Sequence, residues 1–149
     1  NAGMFGTFKM NASSADFTTG KGHELINRGT MLLENGSNFT TEYVINENVI
    51  TVDGSTLTIE NQLTNNGTFN VSGESSLNIG DLAGKIYTDN ATLVDTYIGG
   101  TNKAQLIATG DLAIQGDFTR TIGQVVNTHV SSGVTRILQP TLLWAKTIL

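Results

Sequence analysis

Apolar and polar positions recur along this chain with a period of about 19 residues. The leading apolar residue of each copy is Leu25, then Val44, then Leu63. A pair of apolar residues follows shortly after it in every copy. These pairs are Met31 and Leu33, Ile50 and Val52, and Phe69 and Val71. A fixed period held over three consecutive copies is typical of repeat architectures, in which each unit stacks on the next.

Within each copy the pattern predicts turn, strand, turn, strand. Between the two members of each apolar pair lies one residue that points to the opposite face of the strand. This residue is Leu32, Thr51 or Asn70 in successive copies. An Asn precedes the first strand, and small-residue turns that favour positive φ follow it. The Asn positions are 27, 46 and 65, and the later turns are at 35–36, 53–54 and 72–73. A second short strand is predicted at 57–59 and 77–79.

The pattern continues outward with decreasing regularity. Residues 6–13 match 67–74 in character, but their next copy begins only at Gly29, which is a longer step than the others. Leu82 follows Leu63 by one full period, after which Ile86 and Thr88 arrive early. Atypical terminal copies are expected where a stack is capped or joined to another element.

We interpret the fold as all-β, a short β-solenoid or repeat-built β domain with units of about 19 residues. Stacked coils would place Met31, Ile50 and Phe69 in one ladder, with Leu33, Val52 and Val71 beside them as the rest of the repeat core. The copies keep their phase, which favours stacking. A meander of hairpins uses a similar length per unit, so a β-sandwich is the alternative.

The chain divides into a repetitive β region, residues 1–119, and a different C-terminal segment, residues 120–149. Two strands are predicted there, at 124–130 and 134–138, followed by the most apolar stretch of the chain. An unpaired strand edge templates association. The candidate assembly contacts are therefore its large apolar residues, Leu142, Leu143, Trp144, Ile148 and Leu149.

Composition and charge narrow the classes of partner. The net charge is −5, and residues 1–100 carry eleven acidic and four basic residues. An acidic body is expected to bind no nucleic acid, which needs a clustered basic surface. The chain has no Cys, and no apolar run approaches the length of a membrane span. It begins at Asn1 rather than Met, so we expect a processed chain or an excerpt.

Catalytic and metal-binding motifs are absent from the sequence. The two histidines, His23 and His129, have no metal-ligand spacing, and HExxH, P-loop and GxSxG strings do not occur. Five acids are candidates for glycan cleavage by paired carboxylates: Glu42, Glu47, Asp53, Glu60 and Glu74. Most lie near predicted turns, where they serve as solubilising charges. We therefore expect no catalytic, metal-binding or cofactor-binding residues and no enzyme.

Two segments carry a family resemblance. Residues 110–119, GDLAIQGDFT, resemble the "GDLTVxGDLT" strings of structural appendage proteins of tailed bacteriophages. Residues 63–73 are similar to repeats of phage fibres and of bacterial autotransporter passengers. The resemblance implies a virion surface protein, usually trimeric, such as a capsid decoration, head-fibre or tail-fibre component.

The expected function is therefore structural and non-enzymatic, by self-association and attachment to a lattice of other virion or surface structural proteins. The alternative is a cell-surface adhesin or an extracellular filament subunit, located outside the cell. A glycan-degrading β-helix enzyme is the third class, and it would require one of the acids named above.

Overall fold

The computed structural model describes residues 2–18, 24–98, 104–108, 111–115, 125–130 and 135–137. These residues form strands joined by short corners. The strands are β1 (Ala2–Met4), β2 (Thr7–Asn11), β3 (Ser14–Phe17), β4 (Glu24–Asn27), β5 (Thr30–Glu34), β6 (Asn38–Asn46), β7 (Val49–Asp53), β8 (Thr56–Asn65), β9 (Thr68–Val94), β10 (Tyr97–Ile98), β11 (Ala104–Ala108), β12 (Leu112–Gln115), β13 (Val125–Val130) and β14 (Thr135–Ile137).

Every strand pairing among the described residues is parallel, and each strand pairs with the strand about one repeat away. Asn46 pairs with Asn65, and Val49 pairs with Thr68, so both pairs join positions that are one repeat period apart. A hairpin meander or a sandwich built from hairpins would give antiparallel ladders instead. The fold is a β-solenoid, so the solenoid prediction is confirmed and the β-sandwich alternative is wrong.

The strands form three parallel stacks that run along the solenoid. The first stack holds β1, β4 and residues 43–46, 62–65 and 81–84. The second stack holds β2, β5, β7 and residues 68–72. The third stack holds β3, residues 38–41, 56–59 and 76–79, and β10. Since the first stack has five members, the solenoid makes about five turns.

Each coil therefore contains three strands where two were predicted. The additional strand is the segment that ends at Asn27, Asn46 or Asn65. Its alternation is complete, because Val44 and Asn46 both point inward and Ile45 points outward. An inward-facing Asn resembles a turn residue in the sequence, and for this reason the hydrophobic pattern does not reveal the strand.

Departures from the regular period lie at the ends and at one corner. Thr7 pairs with Thr30 at a separation of 23 residues, which agrees with the longer first step predicted from the sequence. In the third stack the separation is 18 between Phe39 and Leu57 and becomes 20 between Thr56 and Ser76. Register irregularities at the corner between the third and first stacks accompany this change.

Beyond the regular coils, the parallel stacking continues in the backbone. β11 and β12 pair with residues 84–88 and 91–94 of β9, and β13 and β14 pair in turn with β11 and β12. The two predicted C-terminal strands thus correspond to β13 and β14. They continue the stacks of the body in the same parallel direction.

Candidate functional site

The interior of the second stack consists of two apolar ladders. Met31 pairs with Ile50, and Ile50 pairs with Phe69, while Leu33, Val52 and Val71 form the parallel row. All six side chains are at most 1% exposed. The rows continue into the first coil as Phe8 and Met10. Burial of these side chains stabilises the stack, at about 25 cal/mol for each Å² of apolar surface removed from water.

The predicted assembly contacts lie outside the described residues. Leu142, Leu143, Trp144, Ile148 and Leu149 all follow β14, the last strand that the structure describes. They enter the proposals below from the sequence alone.

A ladder of buried asparagines runs along one corner, between the first and second stacks. Asn27, Asn46 and Asn65 are at most 7% exposed. The Nδ2 of Asn27 donates to Oδ1 of Asn46 at 2.8 Å, and Nδ2 of Asn46 donates to Oδ1 of Asn65 at 2.7 Å. The ladder is flanked by Met4 on one side and Gly84 on the other.

Each of these asparagines also binds the backbone of the corner. Nδ2 of Asn46 donates to the carbonyl oxygen of Thr68 at 2.9 Å, and Asn27 and Asn65 make the equivalent bonds to Val49 and Lys85. A buried amide that has all its partners stabilises a single register. The regular recurrence of Asn is visible in the sequence, but the prediction that these residues form turns is wrong. None of the three has a positive φ; that conformation occurs at Asn35, Gly36, Gly54 and Gly73.

A second polar row lies at the corner that precedes the third stack. It comprises small hydroxyl residues that are at most 3% exposed, namely Ser37, Ser55, Ser75 and Thr96. The backbone N–H of Ser37 donates to Oγ of Ser55 at 3.1 Å, and that of Leu77 donates to Oγ1 of Thr96 at 3.0 Å. Sequence reasoning missed this row because its spacing varies from one coil to the next.

Charged groups in the described coils lie on the outside. Lys9 pairs with Glu34 at 2.8 Å and Arg28 pairs with Glu47 at 2.7 Å, each across neighbouring coils. The hydroxyl of Thr18 donates to Oδ1 of Asp16 at 2.7 Å and its backbone N–H donates at 2.9 Å. Both hydrogen bonds stabilise the charged carboxylate, the hydroxyl bond more than the N–H bond. They therefore hold the pKa of this exposed carboxyl below its ordinary value.

An open groove of about 540 Å³ lies on the outer face of the second stack, where it meets the next coil. Hydroxyl, amide, phenol and carboxylate side chains line it, from Thr51, Thr68, Asn70, Ser72, Tyr87 and Asp89. Thr51 and Asn70 are paired across adjacent strands. Tyr87 lies in the next coil at the place of Asn70, because the carbonyl oxygen of Lys85, two residues before Tyr87, accepts from Asn65 as that of Thr68 accepts from Asn46.

The residues considered for catalysis or metal binding do not converge on this groove. Glu42, Glu47, Asp53, Glu60 and Glu74 are absent from its lining. His23 lies outside the described residues, and His129 is in β13. Within the described ranges, no group of three His, Cys, Asp or Glu side chains is placed to hold a metal ion.

The fold and these features define a class: a single-chain parallel β-solenoid with apolar and asparagine ladders inside and a polar groove outside. No protein-family model, curated protein or solved structure matches this chain. The described part of the chain contains no apolar helix of membrane-spanning length.

Proposed function

We propose that this chain is a structural, non-enzymatic component of a surface assembly, in which the solenoid serves as a rigid spacer. The observation that carries the proposal is the stacking of complete coils by continuous internal ladders. Coils about 4.8 Å apart give the five regular turns a length of roughly 24 Å. In a solenoid each coil contacts mainly the coils next to it, so the fold suits a rod that spans a distance better than a pocket that encloses a substrate.

Two of the acids considered for glycan cleavage are engaged in cross-coil contacts, which supports a structural role. Oε2 of Glu47 accepts from Arg28 at 2.7 Å, and Oδ1 of Asp53 accepts from Ser72 at 2.9 Å. Both contacts join residues that are one repeat period apart in the sequence. These carboxylates therefore help to fix the register of successive coils.

The location that we propose is a virion surface, in a capsid-decoration or fibre component. The resemblance of residues 110–119 to phage appendage proteins supports this location. Attachment would occur through self-association, with a trimer favoured, and through contacts with other virion structural proteins. Leu142, Leu143, Trp144, Ile148 and Leu149 would supply the apolar contacts.

The test combines the mass of the protein in solution with its presence in particles. We expect sedimentation analysis to give an oligomer and mass spectrometry of purified virions to detect the chain. Leu143→Asp should dissociate the oligomer, whereas Thr58→Asp, on the outward face of the third stack, should leave it intact. A stable monomer that is absent from virions would refute the proposal.

A second candidate is a cell-surface adhesin or extracellular filament subunit. One observation favours it: three strands of this chain complete each regular coil, as a monomeric passenger or filament subunit requires. Protease treatment of intact cells distinguishes the two candidates. Release of peptides from this chain by whole cells, with none in purified particles, would support the cell-surface alternative.

A further inference from the structure

The groove on the outer face of the second stack is lined by hydrogen-bonding groups that the fold does not use. Within the described part of the chain, the side chains of Thr51, Thr68, Asn70 and Tyr87 make no hydrogen bond to protein. Asp89 accepts from Asn90 through Oδ1 alone, at 3.0 Å. Hydroxyl, amide and carboxylate groups together offer both donors and acceptors to a ligand.

The strand geometry arranges these groups as a regular grid. Neighbouring coils are about 4.8 Å apart, and side chains on the same face of one strand are about 6.6 Å apart. Thr51 and Asn70 occupy adjacent coils, and Thr68 lies two residues before Asn70 on the same face. This grid has the scale of a sugar ring and repeats along the axis, as the hydroxyls of an oligosaccharide do.

Tyr87 supplies the one aromatic surface of the groove lining. Its side chain is half-buried, so the ring position is supported by the protein while one part stays open to solvent. An aromatic ring combines an apolar face with a polar hydroxyl. That combination suits a pyranose, which presents C–H groups on its faces and hydroxyls at its edge.

The charges of the groove argue against other ligands. No Lys or Arg side chain lines it, so it lacks the cations that bind phosphate, sulfate or nucleic acid. Asp89 is the one acid among the lining residues, too few oxygen charges to hold a divalent cation. The lining is also too polar to bury an apolar peptide, since Val71 is its single large aliphatic residue.

We propose that this groove binds a neutral oligosaccharide, with Tyr87 packed against a sugar ring and Thr51, Asn70 and Asp89 bonded to its hydroxyls. This binding activity goes beyond the structural role proposed above, and it holds for either location of the protein.

The test is an array of neutral and acidic oligosaccharides probed with the full chain, followed by titration calorimetry on the neutral sugars that bind. Tyr87→Ala should weaken binding about tenfold or more, the effect of one aromatic contact. Asn70→Ala should weaken it about fivefold to tenfold, the effect of one or two neutral hydrogen bonds. Both side chains lie on the outer face, so each variant should keep the β-sheet circular dichroism spectrum of the wild type at the temperature of the binding assay.

Thr58→Ala is the matched control, because Thr58 has the same outward position and partial burial on the third stack. It should leave the affinity unchanged. Failure of the wild-type protein to bind any neutral oligosaccharide at millimolar concentration would overturn the proposal. Binding of acidic polysaccharides alone, or full affinity in Tyr87→Ala, would overturn it as well.

Discussion

Each buried asparagine of the solenoid joins two coils and one corner with a single amide. Asn46 accepts from Asn27 through Oδ1 and donates through Nδ2 to Asn65 and to the carbonyl oxygen of Thr68. An apolar residue in this position would leave the corner carbonyl without a donor in a dry interior, at a cost of about 1–3 kcal/mol. The asparagines are therefore part of the core, although they are polar.

The asparagine ladder predicts that Asn46→Asp destabilises the fold strongly. The substitution keeps the shape of the side chain but replaces its two N–H donors with a carboxylate that faces acceptors. We expect a loss of about 3 kcal/mol or more in the free energy of unfolding, measured by urea denaturation.

Asn48→Asp is the matched control, because Asn48 lies two residues further on and is exposed. Its loss should stay within about 0.5 kcal/mol, as for most surface substitutions. Similar losses in the two variants would contradict the ladder.

The two faces of the second stack predict a similar contrast between neighbouring residues. Phe69 is fully buried and paired with Ile50, whereas Asn70 faces outward. Phe69→Asp places an unpaired charge in the ladder and should cost several kcal/mol, on the order of the 3–5 kcal/mol lost when a buried Phe is truncated. Asn70→Asp should cost little. Chemical denaturation of both variants checks the assignment of the faces, and equal losses would refute it.

At the scale of the strand and its corner, close approach of the backbone between coils requires glycine. A Cβ on Gly67 would overlap the backbone oxygen of Asn48 in the neighbouring coil, and one on Gly29 would overlap that of Gly6. Thr68 also donates from its backbone N–H to this oxygen of Asn48, at 2.7 Å. The corners after Asn27 and Asn65 thus leave no room for a side chain at Gly29 and Gly67, whereas the corner after Asn46 accommodates the exposed side chain of Asn48.

Gly67→Ala should therefore separate two coils locally and reduce stability by more than about 3 kcal/mol, beyond the usual cost of overpacking. Gly36→Ala is the comparison, since a Cβ at Gly36 meets open space and only its φ of +75° is unfavourable. That conformation costs an L-residue about 1–2 kcal/mol. The order of the two midpoints in urea gives the result, and a greater loss for Gly36→Ala would contradict close packing at the corner.

The apolar ladders could be predicted from the sequence because alternation over three copies marks both the strand and its inner face. The spacing of Met31, Ile50 and Phe69 was enough to predict that they stack in one ladder. The same rule misassigns Asn27, Asn46 and Asn65, since a polar residue that points inward looks like a turn until its partners are known. One strand of every coil is hidden for this reason.

The groove could not be predicted at all, because it depends on which side chains adjacent coils bring together. Asn70 and Tyr87 occupy the same place in successive coils, but they do not resemble each other in the sequence and are 17 residues apart, which breaks the period. Only stacking shows that they meet at one surface. The single-residue changes of spacing in the third stack were equally hidden, since they fall at corners where the chain absorbs them.

For the whole molecule, nearest-neighbour stacking predicts that a complete coil is removable. Deleting residues 46–64 joins Ile45 to Asn65 and preserves the register, because Asn46 and Asn65 are paired at that separation. The shortened chain should fold with an unchanged β-sheet circular dichroism spectrum. Its urea m-value should fall by about one fifth, in proportion to the surface that one of five coils buries.

A shorter deletion, of residues 46–55, is the control for this experiment. It joins Ile45, which faces outward, to Thr56, which also faces outward, so the strand that follows is turned over. Leu57 and Ile59 would then point to solvent, and we expect no cooperative unfolding transition. If both deletions fold equally well, stability does not depend on the phase of the repeat. If neither folds, the coils act as one cooperative unit rather than as additive layers, and the repeat period describes the geometry of the solenoid without describing its energetics.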